Sequence, residues 1–385
     1  MTTLISFLGK GKEAGKNYRQ ASYRFADQTR TTTFFGMALA KYLNPARLIL
    51  VGTSGSMWDV FFENDAGDDA ALLDLIEAVP QSAVTAAMLA THTGRLSEKL
   101  GYQVECLLID YARDEKGQID LLDRLANKLS ENEHIALDIT HSFRHLPMLA
   151  LVAARFLTRV KNIKVEDIYY GALEMTESDQ ITPVIHLKGL LDLLDWVDAL
   201  ASYDKDGDYG VFSALLINDG MPEDRAKALQ QASFLERVNH VAGACQQLGA
   251  TFKAIDTHPG LMGKLFKEEL ENRIQWARKP DRAQRELALA EKWFDRRDYM
   301  RTAIFLLEGL ITRELSHTSG GYDDHAQRDE TRKRLDKENA LFKQLDRLRN
   351  ALAHGKRSPD KEINRLLNDE VQLRSMLEQC FKKLT

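Results

Sequence analysis

Two patterns of apolar positions divide the chain near residue 187. Before that point, short β-branched or apolar runs alternate with longer stretches of helical character, which is typical of a sheet covered by helices. The pattern predicts strands over 4–8, 48–51, 104–109, 135–139, 168–170 and 184–187, and helices over 33–42, 70–78, 120–129 and 147–160. The predicted fold class of this part is therefore a doubly wound α/β domain with a parallel sheet.

After Gly189 the pattern changes to a helical one. Apolar residues recur three and four positions apart, at Leu190, Leu191, Leu194, Trp196 and Val197, and β-branched runs nearly disappear. Glycine, proline and aspartate interrupt this part at 204–210, 219–222 and 258–260. We therefore expect three domains: the α/β domain over 1–187, a helical connector over 188–264 and an all-α domain over 265–385.

Composition excludes several classes of protein. Hydrophobic residues make up 44% of the 385 residues and charged residues 28%, so wholesale disorder is excluded. The three cysteines, Cys106, Cys245 and Cys380, lie far apart with no C-x-x-C pair, which argues against a disulfide framework or a cysteine zinc site. The sequence contains no apolar run of the roughly 18 residues that a membrane span needs. The expectation is a soluble, cytoplasmic protein.

The net charge of -5 conceals a difference between the two ends of the chain. Residues 264–357 carry 22 lysines and arginines against 17 acidic residues, whereas the remainder carries 30 against 40. Such a basic segment is typical of a solvated helical surface with ion pairs along each helix. It is also compatible with a nucleic-acid partner, and charge alone leaves both interpretations open.

Small or polar segments follow three of the predicted strands. They are Gly9-Lys10-Gly11-Lys12, residues 52–58 (GTSGSMW) and residues 140–145 (THSFRH). In open α/β sheets, ligands bind outside the carboxyl ends of the strands, where backbone N–H groups and helix N-termini attract anions. These loops predict a site for a phosphate-bearing ligand, although glycine and serine also serve tight turns without any ligand.

Two familiar ligand motifs do not account for these loops. Gly15-Lys16-Asn17 resembles the end of a P-loop, but the earlier glycine is replaced by Lys10 and the final Ser/Thr by Asn17. His141 and His145 are four apart, yet no glutamate follows His141 as in H-E-x-x-H. We therefore predict no metal site, with zinc at this histidine pair as the minor alternative.

A possible catalytic pair occurs near the C-terminus. Arg349 and His354 are five apart at the end of a predicted helix that Gly355 terminates. A histidine that titrates near neutrality can act as acid or base, and an arginine can stabilise phosphorane charge, so the pair suits RNA cleavage by the ribose 2′-OH. This chemistry requires no metal. The alternative is that both cations only interact with the last helical carbonyls.

Four segments together resemble a known family. They are SFLG at 6–9, GTSGSMWD at 52–59, LDITHSFRHLP at 137–147 and RNALAHG at 349–355. In this order they resemble the CRISPR-associated CARF-HEPN ribonucleases of type III systems. The resemblance covers residues 3–187 for the Rossmann-like CARF part and 265–385 for the HEPN part. It leaves the connector unmatched.

The resemblance implies a cyclic oligoadenylate, with cyclic tetra-adenylate the expected ring, that binds the CARF domain and activates cleavage of single-stranded RNA by the HEPN domain. It implies a homodimer or higher homo-oligomer with a composite catalytic site. We expect no cofactor, no metal and no membrane partner. The implied ligand contacts are Gly9, Lys10, Thr53, Ser54, Gly55, Ser56, Met57, Trp58, Thr140, His141, Ser142, Phe143 and Arg144. The implied catalytic residues are Arg349 and His354, with Asn350 in support.

Two other functions compete with this interpretation. The first is a ligand-binding regulator whose helical part binds DNA or a protein and has no catalytic activity. The presence of both Arg349 and His354 argues against it, because a regulator has no need of such a pair. The second is a nucleotide-using transferase, which the absence of a P-loop and of an acidic metal site disfavours.

Overall fold

The computed structural model of the 385-residue chain describes residues 2–10, 20–26, 28–66, 70–141, 146–316, 324–355 and 359–384. The chain forms two compact units, Met1–Leu191 and Asp192–Thr385. No helix within the described ranges is long and apolar enough to cross a membrane.

The first unit contains one eight-stranded sheet of order β3-β2-β8-β7-β6-β1-β4-β5. Its strands are β1 Thr2–Leu8, β2 Ala21–Phe25, β3 Gln28–Thr32, β4 Arg47–Thr53, β5 Gln103–Ile109, β6 His134–Asp138, β7 Lys164–Gly171 and β8 Ile181–His186. The helices of this unit are α1 Phe35–Leu43, α2 Trp58–Ala66, α3 Ala70–Ala78, α4 Ala86–Leu100, α5 Glu115–Lys128 and α6 Leu146–Lys161. Each predicted strand and helix of this unit is confirmed, with shifts at the ends.

Both faces of the central sheet are buried because its strands are apolar on both sides. In β1, Leu4 and Leu8 pack into a core with α1 to α4, whereas Ile5 and Phe7 pack into a second core with α5 and α6. Alternate side chains of a strand point to opposite faces, so a continuous apolar run is what a sheet between two helical layers requires. The doubly wound α/β class is therefore confirmed for this unit.

The prediction of a wholly parallel sheet is wrong at one edge. Strands β5, β4, β1, β6 and β7 are parallel, but β8 runs antiparallel to β7 and β3 runs antiparallel to β2. The β2–β3 hairpin was not predicted, because its sequences ASYRF and QTRTT are too polar to form an apolar run. Tyr23 and Phe25 nevertheless bury their side chains against the sheet core.

The second unit is helical, as predicted. Its helices are α7 Lys188–Asp206, which starts in the first unit, α8 Phe212–Asn218, α9 Glu223–Arg237, α10 Val241–Asp256, α11 Leu261–Leu265, α12 Lys267–Ile274, α13 Arg282–Asp295, α14 Tyr299–Leu315, α15 His325–Glu338, α16 Ala340–His354, α17 Lys361–Leu367 and α18 Glu370–Leu384. One apolar core runs through this unit, from Trp196 on α7 to Cys380 on α18.

This single core bears on the expected boundary at residue 264. Leu229 and Leu248 of the predicted connector belong to the same buried cluster as Leu289 and Phe305 of the predicted terminal domain. The helical part is therefore one compact unit, because the connector helices bury their apolar faces against the later helices. The functional names given to the three segments stay predictions.

Candidate functional sites

The predicted ligand loops lie at one edge of the sheet. In the sheet, β1 lies between β4 and β6. The chain leaves β1 towards β2, which lies on the β6 side, and comes back to β4 on the other side. In doubly wound sheets this reversal opens a crevice at the carboxyl ends of the strands, where ligands bind. Gly9 follows β1, Thr53 ends β4 and Thr140 lies just beyond β6. The described starts of the three loops therefore lie together at the carboxyl ends of β1, β4 and β6, where such a crevice is expected.

The first two loops are bonded to each other. The Ser56 hydroxyl donates to the Leu8 carbonyl at 2.8 Å, and the Met57 N–H donates to the Gly9 carbonyl at 3.0 Å. The Thr53 N–H in turn donates to Ser56 Oγ at 2.9 Å. Because Ser56 is fully buried and uses its hydroxyl within the protein, it fixes the loop after β4 against the end of β1.

Trp58 has a similar internal role. Its indole Nε1–H donates to the Thr53 carbonyl at 2.8 Å, and the ring is fully buried. A Cβ at Gly52 would lie 2.6 Å from Trp58 Cζ2, so glycine at this position makes room for the ring. The side chains of Ser56, Met57 and Trp58 are thus buried beneath the loop. These three residues can therefore contact a ligand through their backbone atoms, as far as their predicted ligand role is concerned.

A polar cluster beside this loop includes residues that the sequence analysis did not select. Tyr111 OH lies 3.2 Å from Ser82 Oγ, and the Arg113 guanidinium lies 4.7 Å from the centre of the Tyr111 ring. The hydrogen bond with Ser82 and the charges of Lys10 and Arg113 lower the pKa of the Tyr111 phenol. A Cβ at Gly55 would lie 2.7 Å from Tyr111 OH, which places the cluster directly against the predicted loop. The crevice thus combines two cations with hydroxyl groups.

The loop after β6 begins with a buried carboxyl group. Asp138 accepts hydrogen bonds from the Ser6 hydroxyl at 2.6 Å and from the Thr140 N–H at 2.9 Å. Burial raises the pKa of Asp138 to about 6. A Cβ at Gly36 would lie 2.9 Å from Asp138 Oδ2, so α1 approaches this carboxyl closely. Asp138 therefore links the ends of β1, β6 and α1.

We expect Asp138→Asn to flatten the pH dependence of stability. Because the folded state raises the pKa of Asp138 above its ordinary 3.8, the stability that this carboxyl contributes is present below that value and is lost as the pH rises through about 6. A shift of about two units corresponds to roughly 3 kcal/mol. Urea unfolding at about pH 4 and about pH 7 measures the free energy of unfolding of the wild type and of the variant. The variant Asp74→Asn, at an exposed aspartate of α3, is the control. A wild-type minus Asp138→Asn difference that is the same at both pH values would contradict the assignment.

Thr140 and His141 are engaged within the protein. Thr140 Oγ1 accepts the Gly171 N–H at 2.8 Å, and His141 Nε2 accepts the Phe35 N–H at the start of α1 at 3.2 Å. Burial lowers the pKa of His141 to about 4, so the ring is neutral near pH 7. Zinc coordination through Nε2 would displace this bond.

The remaining predictions for this loop lie outside the described residues. These are Ser142, Phe143, Arg144 and His145. Their predicted contacts with the ligand therefore stay predictions.

In the second unit, α16 positions the predicted catalytic residues. Asn339 caps the start of the helix by accepting the Leu341 N–H at 3.0 Å, and Gly355 ends it with a φ of 59°. Phe342, Leu345 and Leu348 face the core, which leaves the intervening polar residues at the surface. Arg349 is partly exposed, and His354 is exposed in the last turn.

Asp346 organises the polar side of α16, and the sequence analysis did not select it. Its carboxylate lies 3.1 Å from Arg349 Nη2 and 2.8 Å from Arg332 Nη2 of α15, and Asn350 Nδ2 lies 3.5 Å away. Its spacing, three residues before Arg349 and four before Asn350, could have indicated it. The structure thus groups Arg349 and Asn350 around one carboxylate, with His354 one turn beyond Asn350.

Comparison with known proteins bears on the first unit. Residues 3–174 match the family model described as "CRISPR system endoribonuclease Csx1, CARF domain". The match covers β1 to β7 and the crevice loops, and it ends before β8 and the helical unit.

A curated relative supports the same assignment. The CRISPR-associated protein MJ1674 of Methanocaldococcus jannaschii is 27% identical over 259 residues, which is 60% of this chain. The match spans 40% of the relative's own length. The comparisons thus support a CRISPR-associated protein with an N-terminal CARF domain.

Proposed function

We propose that the chain is a cyclic oligoadenylate-activated, metal-independent endoribonuclease that cleaves single-stranded RNA in type III CRISPR defence. The observation that carries the proposal is the arrangement on α16, where Asp346 holds Arg349 and an exposed His354 follows in the last turn. The match of residues 3–174 to a CARF domain supports a sensing role for the first unit. The HEPN assignment and cytoplasmic localisation belong to this proposal.

The residues on α16 fit cleavage by the ribose 2′-OH. His354 takes the 2′-OH proton, the 2′ oxygen forms a bond to phosphorus, and the bond from phosphorus to the 5′ oxygen breaks. Arg349 stabilises the negative charge of the phosphorane. The departing oxygen takes up a proton, so the products are a 2′,3′-cyclic phosphate and a 5′-OH. No cofactor takes part.

The crevice in the first unit fits a ring of phosphodiesters. Each phosphodiester of a cyclic oligoadenylate carries one negative charge, and Lys10 and Arg113 contribute positive charge beside Tyr111. The helical dipole of α2, which begins at Trp58 directly after the loop, adds to the attraction. Cyclic tetra-adenylate is the ring we expect.

An apolar stripe on α6 supports assembly into a homodimer. Met148, Val152, Phe156 and Val160 recur every fourth residue and expose 74%, 55%, 37% and 62% of their surface. Such a stripe on one helix face is typical of a protein interface. Because α6 starts directly after the 140–145 loop, pairing of two copies about a two-fold axis would bring both loops to one ring.

We expect Val152→Glu to convert the homodimer into a monomer, because the substitution places a charge in the centre of the stripe. Light scattering with size-exclusion chromatography measures the mass. Leu73→Glu on α3 is the matched control, since Leu73 is 62% exposed and α3 packs on the opposite sheet face. A wild-type monomer, or a Val152→Glu variant that stays dimeric, would contradict the α6 interface.

The proposal is tested by the products that the chain forms from single-stranded RNA in EDTA. With cyclic tetra-adenylate present, we expect cleavage to persist and to leave 2′,3′-cyclic phosphate ends or their 3′-phosphate hydrolysis products. Loss of all cleavage in EDTA would contradict the mechanism. A chain that binds the ring and leaves RNA intact would favour the non-catalytic regulator.

A further inference from the structure

Two arginines from different helices share the carboxylate of Asp346. The Nη2 atoms of Arg332 on α15 and Arg349 on α16 lie 2.8 Å and 3.1 Å from the same Oδ1 atom. The side chain of Asp346 is 13% exposed, whereas those of Arg332 and Arg349 are 35% and 27% exposed. The carboxylate is therefore the inner member of the cluster and the guanidinium groups are the outer members.

Both guanidinium groups retain unused hydrogen-bond donors. Each guanidinium carries five N–H bonds. Within the part of the chain that the structure describes, Arg332 and Arg349 contact Asp346 through Nη2. Among the described residues, no acceptor bonds the N–H groups on Nε and Nη1 of either arginine, so these groups can bind another acceptor.

The cluster carries one net positive charge, because Asp346 bonds both arginines while Glu308 and Asp329, which also attract Arg332, are each paired with another cation. Glu308 pairs with Arg328, and Asp329 pairs with Lys333 at 2.6 Å. A phosphodiester, with one negative charge and two free oxygens, fits such a pair of guanidinium groups.

Helix α15 is also held in place independently of Asp346. Arg328 Nη1 donates to Thr312 Oγ1 on α14 at 3.1 Å, and Arg334 Nη2 lies 3.0 Å from Glu314 Oε2 on the same helix. Thr331 is the one residue buried in α15, so polar contacts position this helix more than apolar packing does. Arg332 is thereby held beside Arg349 before any ligand binds.

We propose that Arg332 is a further RNA-binding residue, which together with Arg349 binds one phosphodiester of the RNA strand. The inference rests on the proposed ribonuclease function. In this arrangement Asp346 is a positioning residue, because it acts by holding the two guanidinium groups and has no contact with the RNA.

The test measures RNA binding apart from cleavage. In a His354→Ala background, Arg332→Gln is expected to weaken binding of a fluorescent single-stranded RNA oligonucleotide at least 10-fold, because a charge-assisted contact is lost. The slope of log affinity against log salt should fall by about 0.7, the value for one phosphate contact of a single strand. Arg332→Lys, which keeps the charge, should retain the slope. Fluorescence anisotropy across a salt series measures both quantities.

Lys337→Gln is the matched control, because Lys337 is an exposed cation on the same helix. A purely structural role predicts that Arg332→Gln, whose amide can still donate to Asp346, binds RNA as well as the wild type, and this result would overturn the inference. If Arg332→Gln fails to fold by circular dichroism, the lysine variant decides, since a reduced salt slope there would also overturn it. If Arg332→Gln binds RNA normally in the His354→Ala background and the chain that keeps His354 cleaves RNA, the role of Arg332 alone is refuted. If the chain that keeps His354 neither binds nor cleaves RNA, the proposed function is refuted as well.

Discussion

Replacing His354 by alanine should lower RNA cleavage at least 100-fold, since a positioned general acid or base typically contributes about 10²- to 10⁴-fold to a rate. Because His354 is exposed at the end of α16, we expect the variant to fold as the wild type does. Initial rates of cleavage of a labelled single-stranded RNA, with the activator present, measure the effect.

Binding of cyclic tetra-adenylate by His354→Ala should equal that of the wild type, because His354 belongs to the helical unit and the ring is assigned to the first unit. Calorimetry measures this binding. His134→Ala is the matched control, since His134 is an exposed histidine that pairs with Glu166 on the sheet. Wild-type cleavage by the His354→Ala variant would refute the assignment of this residue.

Replacing Lys10 by alanine should raise the ligand concentration that gives half-maximal activation. Lys10 is exposed beside the Tyr111 hydroxyl, at the point where β1 ends in the crevice. Loss of one charge-assisted contact costs about 1.5 to 3 kcal/mol, or roughly 10- to 150-fold in affinity. Cleavage at saturating ligand should return to the wild-type rate, because Lys10 has no part in the chemistry. A titration of activity against cyclic tetra-adenylate measures both values.

Lys41→Ala provides the matched control for Lys10→Ala. Lys41 is an exposed lysine in the last turn of α1, far along the helix from its end at the crevice. Its removal changes the net charge of the unit equally and leaves the crevice intact. If both lysine variants needed the same ligand concentration as the wild type, Lys10 would not contact the ring.

The central sheet could be predicted because its strands are buried on both faces. Their apolar runs, such as LILV in β4, are distinct from the neighbouring polar turns. The β2–β3 hairpin lacks such a run, and α4 separates its buried Leu89 and Leu96 by mostly small and polar residues, so neither could be found by the same criterion. The shared core of the helical unit was also beyond prediction, since periodicity shows which face of a helix is apolar but not which helix covers it.

The edge of the sheet that holds the candidate site could be predicted from where glycine and serine follow strands. The orientation of each side chain could not be predicted. The side chains of Ser56 and Trp58 are directed into the protein, where they hold the loop in place by hydrogen bonds. Tyr111 was missed because the segment after β5 contains neither glycine nor serine. Asp346 was missed because an aspartate three residues before an arginine also occurs in ordinary helix ion pairs.

The central claim is that ligand binding in the first unit activates RNA cleavage at Arg349 and His354. Its most direct test is the cleavage rate of single-stranded RNA by the purified chain, measured with and without cyclic tetra-adenylate and beside the cyclic tri- and hexa-adenylates. The account predicts cleavage that rises sharply with cyclic tetra-adenylate and is lost in the Arg349→Ala and His354→Ala variants. Cleavage that no cyclic oligoadenylate changes, or that persists in both variants, would contradict it.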